Sequence, residues 1–485
     1  MGGLYMYDIA IIGAGVEGSA IARRFSRYKL KICLIEKQDD VSCGASKANS
    51  GIVHGGYDDT PGTLKAKLCV KGNRMYDRLN RELNFGYRET GSFVIAFSDE
   101  EKKHLEKLYY NGIKNGVGGM EIIDGEKVRQ MEPYVNSKVK WALYCKDSGV
   151  CSPYEFTIAL AENAVENGVD LKLENEVIGI NRKENYFEIV TSQERIEARY
   201  VINAAGVYSD KISNMVGLNY FHIIPRKGEY VLFNKDQSYL VNSVIFQVPT
   251  EKGKGILVTT TYHGNLMIGP NAQEVSNKED VNTNEEMLNY IVETARKSVE
   301  GFDMKKAITS FAGVRPTSST RDFIIEETKV EGFINVAGID SPGLTSAPAI
   351  AEEVVNILSE KVKLEEKDNF NPYRKPIIVK KDKDFHGDIN AQEPEKHIIC
   401  RCERITEAEI VDALNRPIKT VSIDGIKRRT RAGMGMCQGA FCGPRVRKLI
   451  AREMGIPEEQ VKQRGPGSSI LPKRVNRINV MKIQK

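Results

Sequence analysis

The tightest constraint on how this chain folds lies in its first forty residues. Asp8-Ile9-Ala10-Ile11-Ile12 is a short apolar run without helical period, followed at once by Gly13-Ala14-Gly15-Val16-Glu17-Gly18 and a helical pattern from Ser19 to Tyr28. The order is strand, glycine turn, helix. The first glycine permits the tight turn, the second lets backbone amides approach a pyrophosphate, and the third lets helix and strand pack closely. A second apolar run, Ile32 to Ile35, ends in Glu36, about twenty residues on, where a carboxylate accepts hydrogen bonds from a ribose. Gly13, Gly15, Gly18 and Glu36 are therefore expected to bind the ADP half of a dinucleotide. The pattern alone leaves FAD and NAD open, because both present that half to the same turn.

A chain of 485 residues exceeds what one hydrophobic core serves, so two or three domains are expected. With 41% hydrophobic and 28% charged residues it sits in the ordinary globular range, which argues against long disordered or fibrous stretches. No apolar run approaches the roughly 20 residues of a membrane-spanning helix, and the N-terminus lacks a secretory pattern. The cytoplasm is the expected location, with peripheral contact at the inner face of the membrane left open. Nine cysteines in such a chain suit thiols or metal ligands better than a disulfide framework.

Three later segments separate the dinucleotides: Gly44-Ala45-Ser46-Lys47-Ala48-Asn49-Ser50-Gly51-Ile52-Val53-His54-Gly55-Gly56, Val201-Ile202-Asn203-Ala204-Ala205-Gly206, and Ile334-Asn335-Val336-Ala337-Gly338 through Ala347. With the N-terminus they resemble the D-amino-acid-oxidase-like flavoproteins, particularly the glycerol-3-phosphate dehydrogenase and L-2-hydroxyglutarate oxidase branches, over most of residues 1 to 360. The resemblance implies FAD. It lays the Gly44-Ala45-Ser46 turn along the phosphates, adds Asn49, Ser50 and Gly51 to the cofactor-binding residues, and brings Ala205 and Gly206 toward the adenine half. Gly338, Gly343, Leu344 and Thr345 then bring a helix N-terminus to the flavin. Independently of family, the glycines before an Ala-rich helical stretch mark a helix N-terminus, which favours the electron-rich end of a reduced flavin.

The fold expected is α/β. A Rossmann-like FAD-binding domain in three pieces (1–80, 145–215 and 330–362) is interrupted by an α+β substrate domain of 81–144 and 216–329. Charged helical stretches around Glu100–Asn115 and Glu285–Ser298 and strand-like runs at Tyr230–Phe233 and Gly255–Thr261 make up that insertion.

Two arginines, Arg315 and Arg321, stand in Phe311-Ala312-Gly313-Val314-Arg315-Pro316-Thr317-Ser318-Ser319-Thr320-Arg321-Asp322, which resembles the substrate-anion region of glycerol-3-phosphate dehydrogenases. A guanidinium fork matches carboxylate or phosphate oxygens. Alcohol oxidation also needs a base, and a neutral imidazole titrates in the right range. His54, just after the phosphate turn, and His263, between strands, are the candidates. One departure bears on substrate: the lysine of the Gly-Gly-Lys-Leu segment in glycerol-3-phosphate dehydrogenases is replaced within Ile339-Asp340-Ser341-Pro342-Gly343-Leu344, while Gly255 to Ala272 looks closer to the L-2-hydroxyglutarate branch.

After a charged, Pro-containing connector (363–396) come Cys400-Arg401-Cys402 and, thirty-four residues later, Cys437-Gln438-Gly439-Ala440-Phe441-Cys442. Four thiolates suit an iron-sulfur cluster or zinc, and the spacing departs from the C-x-x-C knuckles of structural zinc. It resembles the bacterioferritin-associated-ferredoxin-like domain, which implies a 2Fe-2S cluster on Cys400, Cys402, Cys437 and Cys442 in a small helical domain (397–456). The stretch Arg428–Cys442 is similar to the C-terminus of the anaerobic glycerol-3-phosphate dehydrogenase large subunit. Thr406 and Glu409 form a capping box for a helix to Leu414, and Gly443-Pro444 starts another. The formal charge is +5, yet Cys400–Arg452 alone carries +7. Lys427, Arg428, Arg429 and Arg431 are expected to offset the charge of a thiolate-bound cluster. Cys33, Cys43, Cys69, Cys145 and Cys151 show no metal spacing and suit small buried hydrophobes.

The leading expectation is a dehydrogenase that oxidises a small anionic secondary alcohol, glycerol 3-phosphate first, to dihydroxyacetone phosphate. Electrons would pass from FAD through the cluster to a redox partner subunit or other acceptor, in an oligomer or hetero-complex. The alternatives are L-2-hydroxyglutarate or another 2-hydroxy or amino acid as substrate, and an electron-transfer subunit with an idle substrate site. A basic tail (457–485) with Lys473, Arg474 and Arg477 brings no aromatic platform or binding motif, so no nucleic acid is expected.

Overall fold

The structure, a computed structural model, describes residues 6–248, 255–379, 381, 384–465 and 467–469. Lys473, Arg474 and Arg477 lie outside the described residues. The chain divides into two compact units, Met1–Lys37 with Val41–Lys375 and Gln38–Asp40 with Pro376–Lys485.

In the first unit the glycine turn joins β1 (Met6–Ile12) to α1 (Val16–Phe25), and the chain returns as β2 (Ile32–Ile35) parallel to β1. Ile9–Ile12 of β1 and all of β2 are buried apolar runs, as expected where both faces of a parallel sheet are covered. Beyond β2 lies β3 (Asp170–Lys172), and β1 pairs on its other side with β4 (Arg195–Asn203). The long β4 serves two partners: the antiparallel strand Phe187–Thr191 along its first half, and the parallel strand Phe333–Ala337 along Val201–Asn203. One sheet thus gathers strands from three separated stretches of chain. From Ala337 the chain turns through Gly338 into α2 (Gly343–Ser359), which packs against α1.

A nine-stranded sheet fills the intervening sequence. Its spine is the antiparallel pair β5 (Ile223–Phe233) and β6 (Ala307–Ser318), in register from Ile223↔Ser318 to Leu232↔Thr309. One face carries a core that includes Phe93, Val231, Phe233, Val258, Ile268 and Ile291. The sequence placed the start of β5 at Tyr230, seven residues late, because Pro225, Arg226, Lys227 and Gly228 mask its alternation. A Cβ on Gly313 would stand 2.0 Å from the Ala48 carbonyl oxygen, so only glycine lets β6 pass that close to the 44–56 segment.

The 363–396 connector is anchored in its first part. Arg374 is buried and donates to Glu162 at 2.6 Å, and Asn371 accepts from Asn163 and Asn167 through its backbone carbonyl.

The second unit holds a two-stranded ladder, Ile398–Cys400 with Ile405–Thr406, followed by α3 (Glu407–Leu414), α4 (Ile423–Thr430) and α5 (Gly443–Met454). Ile399, Ile405, Ile410, Leu414, Ile426 and Ile450 form its own core. The Thr406–Glu409 capping box closes both ways. The chain also continues past the domain end read at 456: Val461 is buried in this core and the carbonyls of Lys462 and Gln463 accept from Ile423 and Asp424.

Candidate functional site

A cavity of about 780 Å³ runs through the first unit, lined by the first turn of α1, the 45–54 segment, β5, β6 and the start of α2. Its volume is in the range of small-molecule and cofactor sites. Gly15 opens one wall, where an added Cβ would meet Ser46 Oγ at 3.1 Å, and that hydroxyl accepts from Val16 N–H at 2.8 Å. Gly13 and Gly18 lie behind the wall. Gly13 makes its turn at φ 104°, where a Cβ would also reach 2.5 Å from Ala204 O, and a Cβ on Gly18 would reach 1.8 Å from Gly13 O, the close packing expected of the third glycine. Glu36 Oε2 accepts from Ala14 N–H at 2.9 Å.

Ala45, Ser46, Asn49 and Ser50 line the cavity, as do Gly206, Gly343, Leu344 and Thr345. Gly44, Gly51, Ala205 and Gly338 do not. Gly51 and Gly338 adopt positive φ (68° and 67°) and shape their turns, whereas nothing lies within 4 Å of a Cβ on Gly44. Neither α1 nor α2 is capped by the side chain of its own N-cap residue, Gly15 or Pro342; Ser46 takes the Val16 amide and the Asp340 carbonyl takes that of Gly343, while both helix ends line the cavity. A cradle floored by glycine, two helix N-termini and a cavity of this volume fit the FAD that the resemblance implies.

His54 also lines the cavity. Its backbone N–H donates to Thr345 Oγ1 at 2.9 Å, and its Nδ1 accepts from Gly56 N–H at 2.9 Å. The neutral ring in this arrangement carries its proton on Nε2. His263 is not brought to the cavity lining. Its Nε2 lies 2.6 Å from Glu155 Oε1, at the start of the helix Pro153–Glu166, so this ring serves a carboxylate in the protein.

Three arginines line the cavity. Arg226 on β5 and Arg315 on β6 face each other in register and both line it. Arg315 donates to the Asn271 carbonyl at 2.9 Å, Arg226 Nε is buried without an acceptor, and among the described residues neither guanidinium meets a carboxylate. Burial, and then the Arg226 charge, push Arg315 below the ordinary arginine range, against the opposing influence of Tyr230 and Asp340. Like charges directly opposite on a sheet destabilise it. Two residues along the same face come Gly228 and Gly313, then Tyr230 stacked on Phe311 with ring centroids 4.7 Å apart. Glycine at 228 leaves room for the Arg315 head, which lies 3.2 Å from where its Cβ would be. Arg321 lines the cavity as well, held in a left-handed turn (φ 65°).

Sequence reasoning missed Arg226, Lys65 and Asp340. Asp340 stands in the segment that lacks the family lysine, and there Lys65 Nζ comes within 2.6 Å of its Oδ1 while Thr317 donates to Oδ2 at 2.8 Å. The alternation Ile224-Arg226-Gly228-Tyr230 was the available signal for Arg226.

In the second unit the four cysteines approach in two pairs. Cys400 and Cys442 form one pair, close enough that a thiol hydrogen bond between them holds Cys400 below and Cys442 above the usual thiol range. Cys402 and Cys437 lie 3.8 Å apart. Backbone N–H groups of Gly433 and Glu403 point at Cys400, and those of Phe441 and Gly439 at Cys437. Among the described residues no three His, Cys, Asp or Glu side chains converge tightly enough for a single metal ion. Two thiol pairs under backbone donors fit a two-iron cluster better than one tetrahedral ion.

The expected charge compensation is only partly present. Arg428 and Arg429 bind the buried Asp40 at 2.8 and 2.6 Å, Arg431 binds Glu403 at 2.8 Å, and Lys427 donates to Gln438 at 3.2 Å. Burial selects carboxylate partners for these cations. Of the other cysteines, Cys33, Cys69, Cys145 and Cys151 are buried, and burial pushes Cys145 up to about 11; Cys43 is half-buried.

Fold and site together define a flavin-dependent oxidoreductase with an iron-sulfur unit. Residues 8–357 match the model of the FAD dependent oxidoreductase family (DAO), to which the chain belongs, and residues 398–452 match the BFD-like [2Fe-2S] binding domain. FAD and a 2Fe-2S cluster are its cofactors. The chain is 51% identical over 481 residues to a glycerol 3-phosphate dehydrogenase of Caloramator mitchellensis, covering 96% of this chain and 98% of the relative. It is 32% identical over 283 residues to the mitochondrial L-2-hydroxyglutarate dehydrogenase of Homo sapiens, covering 55% and 61%. The FAD-bound, dithionite-reduced L-alpha-glycerophosphate oxidase of Mycoplasma pneumoniae superposes with a TM-score of 0.73 at 31% identity, covering 76% of this chain and 99% of that one. Among the described residues no helix is long and apolar enough to cross a membrane.

Proposed function

We propose that the chain is a glycerol-3-phosphate dehydrogenase that oxidises the secondary alcohol of glycerol 3-phosphate to dihydroxyacetone phosphate. The observation that carries this reading is the facing pair Arg226 and Arg315, two cavity-lining guanidiniums that meet no carboxylate among the described residues. A phosphate dianion neutralises both charges and takes bidentate hydrogen bonds from them. The relative at 51% identity bears the same activity in its name.

Bound FAD supplies the two-electron acceptor for the alcohol, and the 2Fe-2S cluster supplies one-electron transfer to an external acceptor, which we propose is a redox partner subunit. Arg226 and Arg315 hold the phosphate, with Arg321 at the cavity wall. Lys65, fixed by Asp340, supplies an ammonium beside the segment that lacks the family lysine. His54 is the cavity's imidazole and handles the hydroxyl proton. To take it at Nε2 the ring must shift its own proton to Nδ1 and release Gly56 N–H, a change that substrate binding has to drive.

The L-2-hydroxyglutarate reading rests on the missing lysine and the more distant relative of that name. The test is anaerobic bleaching of the flavin absorbance of the purified holoprotein with each compound in a separate cuvette. Rapid bleaching by glycerol 3-phosphate alone is expected. Bleaching by L-2-hydroxyglutarate alone overturns the proposal, and bleaching by neither points to an electron-transfer subunit.

A further inference from the structure

The first turn of α1 contains a buried acid that the dinucleotide pattern does not require. Glu17 lines the cavity, both of its carboxyl oxygens are buried, and neither has a hydrogen-bond partner. Its Oε1 lies 3.5 Å from the position of a Cβ on Gly343, so the carboxyl sits between the N-termini of α1 and α2, where the fit places FAD.

We infer that Glu17 keeps its proton in the FAD-loaded protein and donates a hydrogen bond from its carboxyl O–H to an acceptor oxygen of the cofactor. FAD carries an anionic pyrophosphate and many acceptor oxygens. A carboxylate facing it unpaired would meet repulsion and the cost of burial, whereas a neutral acid is a donor. Burial alone already holds this carboxyl well above the usual range.

The surrounding groups are otherwise engaged or neutral. On the helices packed against α1, Glu155 meets His263, Glu162 meets Arg374, and Glu352 and Glu353 meet Lys71 and Lys67. From β1 and β2, Tyr7 donates to Asp170, Asp8 accepts from Lys31 N–H, and burial pushes up Cys33. Tyr76, the titratable neighbour on the helix Tyr76–Leu83, donates to the Leu344 carbonyl and is raised far above its usual range, so it stays neutral. Lys65 is paired with Asp340, and Glu36 accepts from Ala14 N–H.

The linkage has a fixed sign: FAD affinity is full below the raised carboxyl pKa and falls as pH rises through it. The experiment measures FAD dissociation constants by flavin fluorescence on the full-length chain, stripped and reloaded, for wild type, Glu17→Gln and Glu17→Leu. Above the carboxyl's pKa the wild-type constant should rise by up to about tenfold per pH unit relative to Glu17→Gln, which cannot ionise. Glu17→Leu, which fills the space without a donor, should bind about tenfold more weakly than Glu17→Gln at low pH. Infrared spectra of the FAD-loaded proteins at neutral pH provide a readout that needs neither affinity nor turnover. A protonated-carboxyl band present in wild type and absent in Glu17→Gln is expected, and its absence from wild type overturns the inference. Parallel pH profiles for wild type and Glu17→Gln, or Glu17→Leu binding as tightly as wild type, overturn it too. None of these readouts involves substrate, so the inference can fail while the proposed reaction stands, and the converse.

Discussion

Arg226 and Arg315 are 89 residues apart in sequence and acquire their meaning only when β5 and β6 pair. Arg315 was legible because Arg-Pro-Thr-Ser resembled an anion-binding region. Arg226 was not, because its only local signal, the alternation Ile224-Arg226-Gly228-Tyr230, is obscured by Pro225 and Lys227. Charge-assisted hydrogen bonds contribute about 1.5–3 kcal/mol, so Arg226→Gln and Arg315→Gln should each raise KM for glycerol 3-phosphate roughly 10- to 100-fold. The same substitutions should raise the Tm of the substrate-free protein, since each removes one of two facing like charges. A KM left unchanged by either would remove that arginine from the phosphate site. The histidines divide differently. His54→Asn should lower kcat by about 10²-fold or more, the scale of acid–base catalysis. His263→Gln should leave kcat alone and lower Tm, because its ring serves Glu155. Steady-state kinetics and melting curves on the two variants separate these roles. The sequence treated the two rings alike, since reach into a cavity is decided by loops folded together from distant positions.

Elements were read best where a local rule generates them. The strand–glycine–helix unit follows from backbone sterics at Gly13 and Gly18, and the α3 capping box follows from two residues three apart. Gly18→Ala puts a methyl 1.8 Å from the Gly13 carbonyl oxygen, so α1 must leave β1. Overpacking of this kind costs about 1–3 kcal/mol or more, and the variant should be purified with little flavin and a lowered Tm. An unchanged flavin-to-protein ratio would show that α1 can move without losing the cofactor cradle. Thr406→Ala removes one half of the capping box and should destabilise the second unit by about 1 kcal/mol, measured by chemical denaturation followed at that unit. Less legible were elements whose pattern is broken for function. β5 begins at Ile223 although its first half holds Pro225, Arg226 and Gly228, residues chosen for the cavity rather than for strand propensity.

At the scale of the whole chain, two cores rather than one follow from its length, and the cysteine spacing located the second. Their bounds did not follow, because Arg374 and Val461 extend the units through buried contacts that no composition shift marks. Each unit has its own hydrophobic core, and the four thiols belong wholly to the second. Cys400 ends a strand and Cys442 precedes α5, so the thiols tie together the ladder and the helix that enclose Ile405, Ile426 and Ile450. Cluster ligation is therefore expected to contribute to the folding free energy of that unit more than to that of the first. Cys437→Ala should abolish the visible and paramagnetic signals of the cluster while FAD stays bound and glycerol 3-phosphate still bleaches it anaerobically. Calorimetry of the variant should show one transition lowered and the flavin-dependent transition in place. Reduction of one-electron acceptors by substrate should fall in the same protein, because the remaining path lacks the cluster. If bleaching is lost together with the cluster signal, the two units do not fold independently, and the thiol centre takes part in building the flavin site as well as in draining it.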